Sequence, residues 1–191
     1  MIGYWQLWAN HLQKDFCDYV VEKALKIEPT EATIGFDETN RTDTEYRRSK
    51  LRWIDRTNLE WADVFHVVES YFNSANSTAF GFDLTYIPYM QFTEYDAGDE
   101  GKYDWHEDIQ WANTDCYHRK LSMVIQLSDP TDYEGCDLEL APPEYESPDP
   151  ETLRTRGSIV VFPSFVRHRV TPISKGKRYS LVAWMQGPKF R

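Results

Sequence analysis

Residues 103–108 read Tyr-Asp-Trp-His-Glu-Asp, which places His106 and Asp108 two positions apart. On an extended segment, residues i and i+2 point to the same face, so an imidazole and a carboxylate would stand side by side. Much later in the chain, His168 lies between Arg167 and Arg169. Two neutral imidazoles and one carboxylate bind Fe(II) on one face and leave other positions open. The tripeptide alone is a common pattern in an acid-rich chain, and a histidine between two arginines also fits a polar strand residue. Arg178 and Ser180 weigh against both bland readings. They begin an apolar strand pattern in which Arg178, Ser180, Val182 and Trp184 share one face, while Tyr179, Leu181 and Ala183 take the other. An inward arginine is costly unless it meets an anion, and its planar fork fits a carboxylate in two parallel hydrogen bonds. Tyr95 and Tyr103 precede the His-x-Asp pair. Each is a phenol able to donate to the same ligand, or a simple core residue.

These groups need a frame. From residue 81 the sequence reads as short strands, with candidates at 84–95, 101–107, 119–128, 136–141, 157–162, 167–171 and 177–186. Turn signals separate them at Ala97-Gly98-Asp99, Ser128-Asp129-Pro130, Pro142-Pro143, Arg156-Gly157 and Lys175-Gly176. Many short strands at this spacing predict a sandwich, barrel or jelly roll. Two helices are predicted before them. Asn10 and Gln13 form a capping box ahead of Leu12, Phe16, Tyr19, Val20 and Ile27, ending near Pro29. Thr57 and Glu60 form a second, ahead of Trp61, Val64, Phe65, Val68 and Phe72 on one face, ending near Asn73. Residues 1–191 are expected to form one domain. Within it, 1–80 give helical support and an edge strand, and 81–191 give the β core.

Composition narrows the function. With 41% hydrophobic and 15% aromatic residues, the chain can bury a core and is not disordered. Its net charge of −10 argues against nucleic acid or an anionic membrane as partner. No apolar run approaches the roughly 20 residues of a membrane span, and no secretory pattern opens the sequence. Three cysteines, Cys17, Cys116 and Cys136, form no paired framework and are read as structural in a reducing, cytoplasmic setting. The charge is also uneven: residues 81–151 carry 18 acidic and 3 basic side chains, and 152–191 carry 9 basic and no acidic ones. Segment 41–56, with six basic and three acidic residues, reads as a charged solvated edge in preference to a lid over substrate. Segment 129–151, with nine acidic and no basic residues, reads as a solvated rim loop in preference to a surface for a basic peptide or amine. His11, His66 and His118 are expected at the surface.

Taken together, the chain resembles the 2-oxoglutarate and Fe(II)-dependent dioxygenases, and within them the prolyl 4-hydroxylase-like group. The similar stretches are Tyr95–Asp108, Arg119–Leu127, Asp132–Leu140 and Arg156–Trp184, which cover most of the β region in the same order and spacing. The resemblance implies a mainly β fold, a double-stranded β-helix (jelly-roll, cupin-like) core with supporting N-terminal α-helices. It implies Fe(II) held by His106, Asp108 and His168, with 2-oxoglutarate and O2 as co-substrates and ascorbate as a supporting reductant. The distal carboxylate of 2-oxoglutarate would pair with Arg178, helped by Ser180, Tyr95 or Tyr103, with Tyr95 at the position of the family's co-substrate tyrosine. The reaction implied is hydroxylation of an unactivated C–H bond, with release of succinate and CO2. The substrate would be a prolyl residue of a peptide or protein, or a small molecule. One departure is Gly135-Cys136, where many relatives have Gly-Gly; a cysteine enters positive φ less readily.

Two other classes remain open on the residues alone: a cupin-type metalloenzyme that uses no 2-oxoglutarate, and a non-catalytic jelly-roll binding module. The first needs no carboxylate clamp after its last histidine. The second predicts a damaged triad or clamp.

Overall fold

The alternating strand pattern produces two antiparallel sheets that face each other. The computed structural model describes residues 4–32, 43–141 and 147–191. The larger sheet is built on β7 (Tyr117–Gln126), β12 (Ile173–Pro188) and β5 (Tyr89–Asp96). It continues through β10 (Ile159–Pro163) and β1 (Gln6–Trp8) on one side, and β4 (Lys50–Asp55) and β2 (Thr30–Glu31) on the other. The strand order is β1-β10-β7-β12-β5-β4-β2, and β8 (Tyr133–Gly135) pairs with the first part of β12. The smaller sheet runs β3-β6-β11-β9: Arg47–Arg48, Lys102–His106, His168–Val170 and Leu138–Leu140.

Residue parity decides what each face of the larger sheet meets. Leu121, Met123 and Ile125 of β7, with Leu181, Ala183 and Met185 of β12, are buried against helices α1 (Lys14–Ala24) and α2 (Ala62–Ala75). Val64, Phe65, Val68 and Phe72 of α2 complete this core, as the helical spacing predicts. Each such buried side chain contributes roughly 1.5–3 kcal/mol. The opposite parity, including Val124 of β7, faces the smaller sheet and packs with Leu138, Leu140, Phe162, Val166 and Val170. The site lies between the sheets, on that inner face.

The helix starts differ from expectation. α1 begins at Lys14 after Gln13, with no side-chain cap, and ends at Ala24 well before Pro29. Asn10 does not cap it. Its backbone stands at φ +46°, and its amide donates to Ser158 Oγ at 3.0 Å. The next two amides, of His11 and Leu12, donate to Gly157 O. That contact explains Gly157, whose φ is +80° and where a Cβ would meet Leu12 O at 2.1 Å. Tyr19 is exposed rather than part of the stripe, whose buried positions are Cys17, Val20 and Ala24. Before α2, the capping residue is Asn58, whose side chain accepts from the Glu60 amide, while the Thr57 hydroxyl turns to Asp55. α2 runs on to Ala75.

The expected turn at Lys175-Gly176 lies inside β12, which starts at Ile173 and shifts register there against β8. Just past the shift, Gly176 stands at φ +72° where the chain passes Asp132 so closely that a Cβ would meet its carbonyl oxygen at 1.9 Å. The uneven charge resolves into pairs between the acidic middle and the basic end. Lys177 bonds Glu94 and Asp96 across β12 and β5, Arg169 bonds Glu139, Lys175 bonds Glu134, and Arg154 of α3 (Pro150–Arg154) bonds Asp137. Segment 129–151 is therefore not a plain solvated loop. It supplies β8, β9 and the start of α3, and several of its acids are partnered. The proposed Pro142-Pro143 turn lies outside the described residues, as do Arg41 and Thr42 of segment 41–56. Among the described residues, no helix is long and apolar enough to cross a membrane.

Candidate metal centre and its cavity

His106 ends β6, and His168 opens β11 directly opposite it in the register. Asp108 lies beyond the strand, so the i, i+2 pattern alone does not place it. The amides of Asp108 and Ile109 both donate to Ser164 O, at 2.9 and 3.0 Å, which folds the segment back beside His168. The three residues bring their donor atoms within 4.8 Å of one another. Asp108 Oδ2 is 3.4 Å from His168 Nε2, and Asp108 Oδ1 is 3.9 Å from His106 Nε2.

The surroundings fix which atoms face inward. His106 Nδ1 lies 2.7 Å from Asp104 O, and His168 Nδ1 lies 3.0 Å from Val166 O. A carbonyl only accepts, so each ring donates from Nδ1, and in the neutral form it is Nε2 that is left bare toward the centre. Ser122 of β7 donates to Asp108 Oδ2 at 2.6 Å and shares a 2.9 Å hydrogen bond with Ser164. Burial, then the adjacent His168, lowers the His106 pKa to about 3. Burial alone would raise the Asp108 pKa, but His168, His106, Arg119 and the Ser122 hydroxyl outweigh it and bring it down to about 2. Neutral imidazole and ionised carboxylate are the forms that ligate a metal. This donor set fits Fe(II), and each ligand has an orienting partner.

The centre opens into a cavity of about 480 Å³, lined also by Tyr95, Tyr103, Arg178 and Ser180. Parity is the reason: Arg178, Ser180, Val182 and Trp184 of β12 all reach it, as the sequence pattern predicts. Arg178 pairs in register with Tyr95 and is 3% exposed. Its Nε donates to Gln126 Oε1 at 2.9 Å, its guanidinium stands 5.8 Å from the Tyr95 ring, and no carboxylate partners it among the described residues. Gln126 is itself held by the Tyr133 hydroxyl and Ser128 O. Burial pushes the phenol pKa of Tyr95 upward and that of Tyr103 up to about 12, so both remain hydrogen-bond donors. Tyr103 stacks on His106 with ring centroids 3.5 Å apart.

Residues 90–186 match the model of the 2OG-Fe(II) oxygenase superfamily. The chain belongs to that superfamily. Membership brings Fe(II), 2-oxoglutarate and O2 as cofactors of the family, in keeping with the donor set. A PKHD-type hydroxylase of Stenotrophomonas maltophilia is 31% identical over 106 residues, covering 54% of this chain and 44% of the relative. One of Hyphomonas neptunium is 38% identical over 66 residues, covering 35% and 28%. These matches span less than half the length of the curated relatives. A prolyl-4-hydroxylase of Pseudomonas putida superposes with a TM-score of 0.72 at 22% identity, over 97% of this chain and 94% of that one. A prolyl hydroxylase of Trichoplax adhaerens, solved with a hypoxia inducible factor peptide fragment, superposes with a TM-score of 0.73 at 19% identity, over 95% and 83%. The shared fold is the double-stranded β-helix.

Some residues of this superfamily member were not singled out from sequence. Tyr46, Arg47, Leu51 and Trp53 line the cavity, so segment 41–56 is not the solvated edge its charge suggested. Arg47 is 7% exposed, and β4 lies inside the sheet between β5 and β2. Trp53, Tyr89 and Trp184 gather at the cavity in edge and tilted contacts with centroids 5.2–6.3 Å apart. Arg119 lies 3.9 Å over Trp184 and donates to the Tyr89 hydroxyl at 2.8 Å. His118 is also not at the surface. It is buried, and its Nδ1 accepts from the Phe190 amide. His11 and His66 are exposed. Cys136 does take φ +57°, is fully buried, and has its thiol pKa raised to about 11 by burial.

Proposed function

We propose that the protein is a 2-oxoglutarate-dependent dioxygenase that hydroxylates an unactivated C–H bond, with succinate and CO2 as co-products. The observation that carries this reading is one cavity holding both a His-Asp-His face and a buried arginine with no acid partner among the described residues. Those two features match the two ends of a 2-oxo dicarboxylic acid.

In this reading His106, Asp108 and His168 hold Fe(II), and Arg178 takes the distal carboxylate of 2-oxoglutarate. With O2, the bound iron and co-substrate supply the oxidising power for C–H hydroxylation. The chain's own contributions are positional. The Asp104 and Val166 carbonyls aim both imidazoles inward, and Ser122 steadies the carboxylate. Gln126 fixes the plane of the Arg178 fork, Tyr133 and Cys136 also bond it, and the N–H groups that remain are those a carboxylate would take. Ser180 lies next to Arg178 on the same face as a further donor. Val124, Leu138, Val170 and Val182 line the cavity with apolar surface and limit water near the reacting carbon. Trp53, Tyr89 and Trp184 form an aromatic wall suited to a compact ring such as a prolyl side chain. The named activities of the relatives and the peptide-bound neighbour support a peptide or protein substrate. The three cysteines are free, and we assign a reducing, cytoplasmic setting.

The test is succinate formation. Purified protein is incubated with Fe(II), ascorbate, O2 and 2-oxoglutarate, with and without prolyl peptides, and succinate is followed by mass spectrometry. Release well above a His106→Ala, Asp108→Ala double variant is expected. Succinate no higher than that variant across all substrates would overturn the reading.

A further inference from the structure

Three arginines are buried among the described residues: Arg47, Arg52 and Arg178. Arg52 is answered by Glu94, itself 6% exposed, through a 2.9 Å ion pair. The neighbours of Arg47 are answered as well: Arg48 by Glu45 and Glu100, Lys50 by Asp99, and Arg56 by Glu69. Arg47 is the exception on this stretch of chain. Its Nε donates to Ser49 Oγ at 3.1 Å, and its guanidinium lies 4.2 Å over the Tyr103 ring. No acid pairs with it among the described residues. A hydroxyl and an aromatic face offset part of the desolvation of a buried cation but supply no counter-charge.

Arg47, Tyr95 and Arg178 line the same cavity, and the Arg178 guanidinium stands 5.8 Å from the Tyr95 ring. The cavity therefore holds two buried positive charges. If Arg178 binds one carboxylate, as the proposed function has it, a second guanidinium remains in the same space.

We propose that Arg47 is a second carboxylate-binding position of this cavity. Its carboxylate comes either from the metal-proximal end of the dicarboxylic co-substrate or from the molecule to be hydroxylated. Both sources offer the planar, bidentate anion that a guanidinium fork fits. The proposal rests on the reading of the cavity as a 2-oxoglutarate site, and its test separates the two.

The full chain loaded with Mn(II) is titrated with 2-oxoglutarate by calorimetry, for wild type, Arg47→Lys and Arg47→Gln. Mn(II) affinity is measured separately by electron paramagnetic resonance. In a second arm, protein saturated with Mn(II) and 2-oxoglutarate is titrated with N-acetylproline and with N-acetylprolinamide. An Arg47→Gln protein that binds 2-oxoglutarate at least tenfold more weakly, with Mn(II) affinity within twofold and Arg47→Lys intermediate, assigns the position to the co-substrate. An unchanged 2-oxoglutarate affinity, with a tenfold preference for the acid over the amide that Arg47→Gln abolishes, assigns it to the substrate. If neither quantity moves, or if Mn(II) affinity falls together with 2-oxoglutarate affinity, Arg47 serves only to order Tyr103 and His106 and the proposal fails. Wild type that binds no 2-oxoglutarate would sink the proposed function alone; the acid and amide titrations, run with Mn(II) only, then decide Arg47 on their own.

Discussion

Ser122, on the central strand β7, donates its hydroxyl to Asp108 Oδ2 at 2.6 Å, the oxygen that lies 3.4 Å from His168 Nε2. The two residues are 14 positions apart in sequence and meet because β7 pairs with β10, whose end leads to Ser164, the anchor of the Asp108 amide. A partner that orients a ligating carboxylate is commonly worth 10–100-fold in metal affinity. Ser122→Ala should therefore weaken Mn(II) or Fe(II) binding by about tenfold while the thermal midpoint stays near wild type. An affinity within twofold of wild type in an anaerobic metal titration would show that the hydroxyl does not steady the ligand.

Arg178 and Gln126 form the second coupled pair, joined by a 2.9 Å hydrogen bond from Nε. Losing a charge-assisted, bidentate pair costs on the order of 2–4 kcal/mol. Arg178→Ala should raise the 2-oxoglutarate dissociation constant by roughly 30-fold or more, with metal affinity retained. Gln126→Leu should give a smaller loss, about fivefold, because the fork remains but its plane is freed. Calorimetry on the Mn(II)-loaded variants measures both. An Arg178→Ala protein with wild-type affinity would place the clamp elsewhere in the cavity.

What the sequence made legible follows from periodicity. The inward face of β12 could be read because one strand carries Arg178, Ser180, Val182 and Trp184 at period two. His106 and Asp108 were legible as types and spacing, but not for the right reason, since a long-range bond to Ser164 O and not a continuous strand brings Asp108 round. Arg47, Tyr46 and Trp53 were not legible. Arg47 and Trp53 sit on short strands that carry many charges, Tyr46 directly precedes the first, and only pairing with β6 and β5, some 35 to 55 residues away, shows which side chains turn inward. Ser122 and Gln126 sit in a run recognisable as a strand, yet nothing local marks a serine or glutamine as the support of a ligand. The Asn10 cap failed because a tertiary contact with Gly157 competed with the local helix-start signal.

The helices α1 and α2 close the outer face of the larger sheet, so they should matter for stability more than for ligand affinity. Phe72 is fully buried in the core that joins α2 to β7 and β12. Phe72→Ala removes its burial and leaves a void, which costs about 3–5 kcal/mol. Urea denaturation should show that loss. The folded fraction should still bind 2-oxoglutarate within about twofold of wild type, since Phe72 is on the far side of the sheet from the cavity. A large drop in affinity with little change in stability would reverse this division of labour.

Asp96 provides the pH test. Its carboxylate accepts from Lys177 Nζ at 2.6 Å and from the Gly98 amide at 2.9 Å. The Lys177 bond, then the Gly98 amide, holds its pKa below the usual carboxylate value, and the pKa of Lys177 is raised in turn by Asp96 and Glu94. For a depressed carboxylate, the stabilisation is complete above the unfolded value near ~3.9 and is lost as pH falls through the folded value. For a raised lysine, it is complete below the unfolded value near ~10.4 and is lost as pH rises through the folded one. The thermal midpoint of wild type should thus exceed that of Asp96→Asn by a constant margin from about pH 5 to 9. The margin should be modest, because Lys177 is half exposed and water screens the pair. It should then shrink below about pH 4, where the wild-type carboxylate takes up a proton and becomes as neutral as the amide. Two curves that stay parallel down to pH 2 would mean that Asp96 titrates alike in the folded and unfolded chains, and that the bond to Lys177 contributes nothing net.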